Sequence, residues 1–391
     1  TIENFEGFNV ELIHDPTIKT GKNEKELTLA PAAAVLSYLK GNQKETIQYI
    51  RALELYRRSE FLIVDKNTER NLELLASTGE GGKKFSLLGV LDLTVTSMGG
   101  RLLKQWILRP LVKVQPIVAR QAMIQELVDQ PNLRDEIRQS LRSIHDLERL
   151  LGRVTFGNAN ARDLASIRNS LEQLPGLNQL LSTANTDIIQ KSLYSEETTL
   201  INVDWKDGEW VDPVVEVHQH LSTAIIDEPP LTVREGGMIR DGFCEELDEL
   251  RKIRKDGRGY IAQLQEQERQ KTGIPSLKVA YNKVFGYYIE ITNVHKDKAP
   301  DHYIRKQTLT NAERYITSEL KEFEAKVLHA EDRIHELEFQ LLQELLQFVL
   351  TQSERLKRVA RMLARLDVFQ SLAEAASRYG YTKPVIDDGG E

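Results

Sequence analysis

Ile316, Leu320, Phe323, Val327, Ala330, Ile334, Leu337 and Leu341 follow one another in alternating steps of four and three. That spacing is the seam of a coiled coil rather than the broader apolar face of an ordinary surface helix. It predicts one long helix from Ile316 to Leu350, about 50 Å in length at roughly 1.5 Å per residue. A shorter seam, Leu247, Leu250, Arg254, Gly257, Ile261 and Leu264, precedes it. The two are expected to pair antiparallel, so that whatever lies between them is held at the far end of a stiff rod.

The intervening segment, Ser276 to Arg314, changes period. Leu277, Val279 and Tyr281 fall on one side of an extended chain and Lys278, Ala280 and Asn282 on the other. After the turn-like Lys283-Val284-Phe285-Gly286, Tyr287, Ile289 and Ile291 oppose Tyr288, Glu290 and Thr292. A β-hairpin at the tip of two helical arms follows, a device suited to reaching something extended.

Charge points to what that is. The whole chain carries −7, which excludes a protein coated in nucleic acid, because phosphate binding needs Lys and Arg to release counterions. Ser276 to Arg314 nevertheless holds seven basic residues against four acidic ones, a local +3 that leaves −10 for the remainder. Lys278, Lys283, Arg305 and Lys306 are candidate phosphate contacts by charge and strand face. Asn282, Thr308, Thr310 and Asn311, with Tyr281, add hydrogen-bonding groups suited to phosphate oxygens and sugars. The partner expected is double-stranded DNA, held without sequence readout; a merely solvated surface hairpin is the competing account.

Elsewhere the chain reads as helical. Asp92 to Leu108 and Leu141 to Leu151 carry apolar residues at three- and four-residue intervals. A β-like run, Phe61-Leu62-Ile63-Val64, opens this region, and a short apolar helix, Ala32 to Leu39, precedes it. Asn202 to Pro213 breaks the pattern as a loop before helices resume near Val214. At 391 residues, two or three domains are expected. The fold class expected is mainly α: a multi-helix core, two long antiparallel lever helices and a small inserted antiparallel β clamp.

Several features have bland explanations. Cys244 is the single cysteine, expected to be a passive thiol in a reducing cytoplasm. His218-Gln219-His220 would place its imidazoles on diverging helix faces, and no metal site is expected. Asp146-Leu147-Glu148-Arg149 reads as helix-surface ion pairs with Arg149 and Arg153 rather than paired catalytic carboxylates. Trp106 reads as core. No stretch reaches the roughly 20 apolar residues that span a bilayer, so no membrane partner is expected.

Two long stretches resemble the clamp signatures of the bacterial MutS DNA mismatch-repair family: Leu277 to Glu290, and Arg305-Lys306-Gln307-Thr308-Leu309-Thr310-Asn311-Ala312-Glu313-Arg314-Tyr315. Asp65 to Leu74, Ser86 to Asp92 and Met98 to Leu103 are similar to the start of that family's core domain, and Arg234-Glu235-Gly236-Gly237 and Thr272-Gly273-Ile274 also match. The resemblance covers nearly the whole chain. It implies residues 1–45 as the end of a connector domain, 46–257 as helical core and first lever, 258–317 as clamp, and 318–391 as second lever and return to the core. Among clamp residues it implies backbone contacts at Asn282, Thr310 and Asn311, with a threonine at 310 where lysine is frequent in the family.

The same resemblance implies a longer parent. The chain has no G-x-x-x-x-G-K-[ST] loop, since Gly79-Glu80-Gly81-Gly82-Lys83-Lys84 lacks both the spacing and the hydroxyl. It also has no family-type Phe-x-Glu mismatch wedge near its start. The chain is therefore expected to be a non-enzymatic central fragment with no cofactor of its own, whereas ATP and Mg, a homodimer and a MutL-type partner are implied for the full-length, nucleoid-associated bacterial parent. Two alternatives stay open: a MutS relative acting on recombination junctions, and a purely structural coiled-coil scaffold.

Overall fold

In the computed structural model the described residues are 34, 35, 38, 61–79, 82–194, 210–232, 235–282 and 286–389. They are mainly helical, with one small antiparallel sheet. The chain divides into two compact units. One comprises Thr1–Ala159, Ser166–His220 and Phe348–Glu391, and the other Asn160–Ala165 and Leu221–Gln347.

The first unit is helix on helix. Short helices α1 (Lys66–Asn71) and α2 (Leu87–Leu91) lead into α3 (Ser97–Leu108), α4 (Val114–Asp129), α5 (Pro131–Arg142) and α6 (Leu147–Thr155). Then come α7 (Ala161–Glu172), of which the part from Ser166 belongs to this unit, α8 (Leu174–Leu181), α9 (Thr186–Tyr194) and α10 (Val215–Ala224), the last as far as His220. The last helix of the chain, α13 (Ser353–Tyr379), packs against α3, α4, α5 and α6 and is buried along most of its length. A helix buried all round must be apolar or small on every face, and Val359-Ala360, Met362-Leu363-Ala364, Val368-Phe369 and Ala373 meet that demand.

Within that helix sits a fully buried carboxylate. Asp367 accepts the Val95 and Thr96 backbone N–H groups at 3.0 and 2.7 Å, the Thr96 hydroxyl at 2.6 Å and the Gln370 amide at 2.6 Å. Thr96 caps α3, its Oγ1 accepting from Gly99 N at 3.0 Å, so Asp367 fixes the cap that starts the helix. A Cβ at Gly99 would stand 2.2 Å from Asp367 Oδ2, so glycine is what lets α3 approach so closely. Trp106 meets Phe369 edge to face, with ring centroids 5.5 Å apart, and is core as its spacing predicts.

Several sequence expectations are corrected here. Leu141 to Leu151 is not one helix: α5 stops at Arg142, and Asp146 opens α6 by accepting from Arg149 N at 3.1 Å. Leu141, Ile144, Leu147 and Leu151 are all buried, so the apolar rhythm runs across the break. Asp146 and Glu148 are ion-paired with Arg101, at 2.7 and 2.6 Å, a partner the sequence did not suggest, and the Arg149 charge also acts on Asp146. Asp92 to Thr96 precedes α3 as non-helical chain. Of Phe61 to Val64, only Phe61 pairs, in an isolated bridge to Leu111. In the short helix expected at Ala32 to Leu39, Ala34, Val35 and Tyr38 are helical and exposed, and the rest lies outside the described residues; Asn202 to Glu209 lies outside them too.

The second unit contains α11 (Glu245–Thr272) and α12 (Ser318–Thr351), the latter as far as Gln347. They run antiparallel: Tyr260 stacks on Phe323, while Arg251 reaches Glu338 at 2.6 Å. Leu247 and Leu264 of the first seam are buried, as are Leu320, Ala330, Ile334 and Leu337 of the second. Ile316, the first residue of the expected helix, belongs instead to a strand.

Glu338 fastens the preceding loop to this pair. Fully buried, it accepts from Gly237 N at 2.8 Å and from Arg251, whose guanidinium also donates to Ile239 O at 2.9 Å. Gly236 and Gly237 both have positive φ, 67° and 79°, which gives this loop its glycine pair.

Candidate nucleic-acid interface

Between the two long helices the chain forms four strands, β1 (Lys278–Asn282), β2 (Gly286–Thr292), β3 (Ile304–Thr308) and β4 (Ala312–Ile316). They lie in the order β1-β2-β4-β3, all antiparallel. Gly273 ends α11 with φ 63°, a left-handed cap that turns the chain out of the helix. Period-two burial then does the rest: Leu277, Val279, Tyr287, Ile289, Ile291 and Tyr315 face the helices, packing with Leu264, Ile274, Tyr303 and Leu320. The faces assigned from the sequence to β1 and β2 agree with this packing. Strands β3 and β4 double the hairpin into a sheet.

The helix pair also holds the sheet through polar groups. Gln265 accepts from Val279 N at 3.0 Å and Arg269 donates to Leu277 O at 2.8 Å, so edge strand β1 is tied to α11. The Tyr303 hydroxyl donates to Glu268, which Lys271 pairs at 2.8 Å. Burial works to raise the Glu268 pKa, but the Lys271 and Tyr303 hydrogen bonds outweigh it and hold the carboxyl below its ordinary value. Burial and the bond to Glu268 both push Tyr303 up. Tyr315 donates to Glu313 at 2.5 Å; burial and this bond push its pKa up to about 12.

These contacts sort the basic residues. Arg314 lies between Glu290 at 2.9 Å and Gln307 at 3.0 Å, its guanidinium 4.2 Å above the Tyr288 ring. Arg305 pairs with Glu313 at 3.4 Å. Lys278, Lys296, Lys298 and Lys306 are exposed and have no ion-pair partner among the described residues. The positive charge offered outward is therefore mostly lysine: Arg314 is enclosed among its partners, and Arg305, though exposed, is shared with Glu313.

The candidate residues do not gather in one place. Asn282 ends β1 opposite Gly286, at the hairpin end; Lys283 lies outside the described residues. Thr308, Thr310 and Asn311, all exposed, stand at the opposite end, where Thr292 pairs Ala312. Seven residues of β2 separate the two ends, about 20 Å at roughly 3.4 Å per residue. Lys278, opposite Glu290, belongs nearer the second end, and Ser276 meets Thr292 there at 3.1 Å. Arg305 and Lys306 lie on edge strand β3, where the register shifts between Arg305 and Gln307.

Asn293 was no sequence candidate, yet it organises that second end. Its backbone N–H donates to Asn311 O at 3.1 Å and its side-chain amide to Thr310 O at 2.9 Å. A short 3₁₀ helix, Asn293–Lys298, follows, with Val294 86% exposed. Only the charge of Lys296 and Lys298 marks this turn in the sequence. Among the described residues no group of three or more His, Cys, Asp or Glu is arranged to hold a metal ion, and no helix is long and apolar enough to cross a membrane.

A buried helical core, together with a lysine-bearing sheet inserted between two antiparallel helices, defines the architectural class. The model of MutS domain III matches residues 67–373. The DNA mismatch repair protein MutS of Halothermothrix orenii is 44% identical over 370 residues, covering 95% of this chain and 40% of that protein. The proteins of the same name from Acetivibrio thermocellus and Symbiobacterium thermophilum are 45% and 44% identical over 367 residues, each covering 94% of this chain and 40% of the relative. The chain belongs to the MutS family. It spans about 40% of the length of these relatives.

Proposed function

We propose that this chain is the DNA-clamping and lever region of a mismatch-repair protein. The sheet between the long helices holds the backbone of duplex DNA, and the helix pair carries changes between that contact and a nucleotide-hydrolysing domain of the full-length protein. The observation that supports this best is the sorting of charge in the sheet: Arg314 is held between Glu290 and Gln307 and Arg305 pairs with Glu313, while Lys278, Lys296, Lys298 and Lys306 are exposed with no ion pair among the described residues, in a chain of net charge −7. Phosphate contacts of this kind position a protein on DNA without reading its sequence.

On this reading Lys278, Asn282, Lys283, Arg305, Lys306, Thr308, Thr310 and Asn311 contact the DNA backbone, Arg305 through what its pairing to Glu313 leaves free. Residues 1–45 close a connector domain, 46–257 form core and first lever, 258–317 the clamp, and 318–391 the second lever and return. Hydrolysis of ATP with Mg, homodimerisation and engagement of a MutL-type partner are functions of the full-length bacterial protein. Fluorescence anisotropy of the 391-residue chain with homoduplex and G·T-mismatched DNA across a salt series tests the proposal. The expected result is weak binding, steeply weakened by salt and equal for the two duplexes. A salt-independent affinity or a clear mismatch preference would refute it.

A further inference from the structure

We infer that the turn Asn293–Lys298, joined to the Thr308–Asn311 turn, is a second phosphate seat of the clamp, so that the sheet grips DNA at two points about 20 Å apart. The inference rests on the DNA-clamping reading and adds to it a location, a set of residues and a footprint. Asn293 locks the two turns into one surface, since its backbone N–H donates to Asn311 O and its side-chain amide to Thr310 O. The groups left to meet a phosphate are the Thr308 and Thr310 hydroxyls, the Asn311 side chain and the ammonium groups of Lys296 and Lys298.

The charge around this seat favours an anion. The two strand carboxylates nearest it already have ion-pair partners, Glu313 with Arg305 and Glu290 with Arg314, so that Lys296, whose charge also reaches Glu313, is only partly offset by it. Asp297 is the carboxylate within the turn itself, against Lys296, Lys298 and the neighbouring strand residue Lys278. Val294, 86% exposed between these polar groups, offers an apolar contact of the kind a deoxyribose face provides. A surface joining unpaired ammonium groups, hydroxyls and one small apolar side chain matches a sugar-phosphate backbone better than an acidic peptide, which offers no sugar face to Val294.

The separation gives the footprint. At roughly 3.4 Å per base pair, 20 Å along the duplex axis is about six base pairs. A duplex must exceed that length to occupy the hairpin end, with Asn282, and the turn end together. On a shorter one, either seat can serve alone.

The test is anisotropy of the full chain as Lys296→Gln/Lys298→Gln, Val294→Glu, and a Lys357→Gln control on α13, each with a long duplex and with a hairpin-closed duplex of about six base pairs. The double variant should lose about tenfold in affinity on the long duplex, with the log–log salt slope shallower by roughly two, and less than threefold on the short one. Val294→Glu should weaken the long duplex at least as much, and the control should match the unmodified chain. Unchanged affinity and slope in both clamp variants would overturn the second seat while leaving the clamping proposal standing. Equal losses on long and short DNA would overturn the two-point grip. Absence of binding by the unmodified chain would overturn the clamping proposal itself, and the second seat with it.

Discussion

Replacing Asp367 with alanine should be among the most damaging single changes to the helical unit. The carboxylate accepts four hydrogen bonds, from Val95 N, Thr96 N, Thr96 Oγ1 and Gln370 Nε2, and is fully buried. Hydrogen bonds to a charged acceptor are worth about 1.5–3 kcal/mol each, so four would suggest roughly 6–12 kcal/mol in isolation. Burying an ionised carboxylate costs several kcal/mol against that sum. The net loss expected for Asp367→Ala is therefore about 3–5 kcal/mol, most of it from leaving the Val95 and Thr96 N–H groups buried without an acceptor. Asp367→Asn keeps one good acceptor and should lose roughly half as much. Urea unfolding followed by tryptophan emission reads this directly, because Trp106 lies against Phe369, two residues along α13. The companion Gly99→Ala change sets a methyl group against Asp367 Oδ2 and should cost about 1–3 kcal/mol, but less when Asp367 is already alanine. A loss below about 1 kcal/mol for Asp367→Ala would refute the claim that this carboxylate anchors α3.

Glu338→Ala should loosen the glycine-pair loop and destabilise the second unit by about 1–3 kcal/mol, since it leaves the Gly237 N–H without its acceptor, while Arg251 keeps its pairing to Asp241 at 2.5 Å. Faster backbone hydrogen exchange at Gly237 to Ile239, with α13 unaffected, is the readout, and unchanged exchange there would contradict it. The sheet and its supports should weaken as pH rises from about 10 to about 12. The bond to Glu319, then burial, pushes Tyr260 up to about 12, and burial, then Glu313, does the same to Tyr315. A phenol whose pKa is raised by folding contributes stability that is complete below the unfolded value and is lost as pH climbs through the folded one. Tyrosinate absorbance titrated in the folded and urea-unfolded chain should therefore separate, and coincident curves would count against these pairings.

How much of this was legible in the sequence depended on whether the signal was local. The seam of α12 and the alternation of β1 and β2 could be read because each rests on residues a few positions apart, and the packing of Leu320, Ile334, Val279 and Ile289 agrees with them. Strand β3 could not: Ile304, Arg305, Lys306 and Thr308 are all exposed, and the register shift after Arg305 removes any alternation. The break between α5 and α6 was hidden because Ile144 is buried inside it and continues the helical rhythm. Arg101 could not be named as the partner of Asp146, nor Asp367 as the anchor of Thr96, because only the tertiary fold brings them together. Within the clamp, residue types and charge were readable, but their division between two ends of a strand was not. That division follows from a strand pairing order, β1-β2-β4-β3, which places the second hairpin turn opposite the first.

The central claim is that the sheet between the long helices, and not the helical body, meets DNA. Lysine acetylation of the 391-residue chain with and without duplex DNA, read residue by residue by mass spectrometry, tests it most directly. Lys278, Lys296, Lys298 and Lys306 should be protected by DNA at low salt and released at high salt, while the exposed Lys66 and Lys104 of the helical unit label equally in both. Protection spread evenly over both units, or confined to Lys66 and Lys104, would contradict the account.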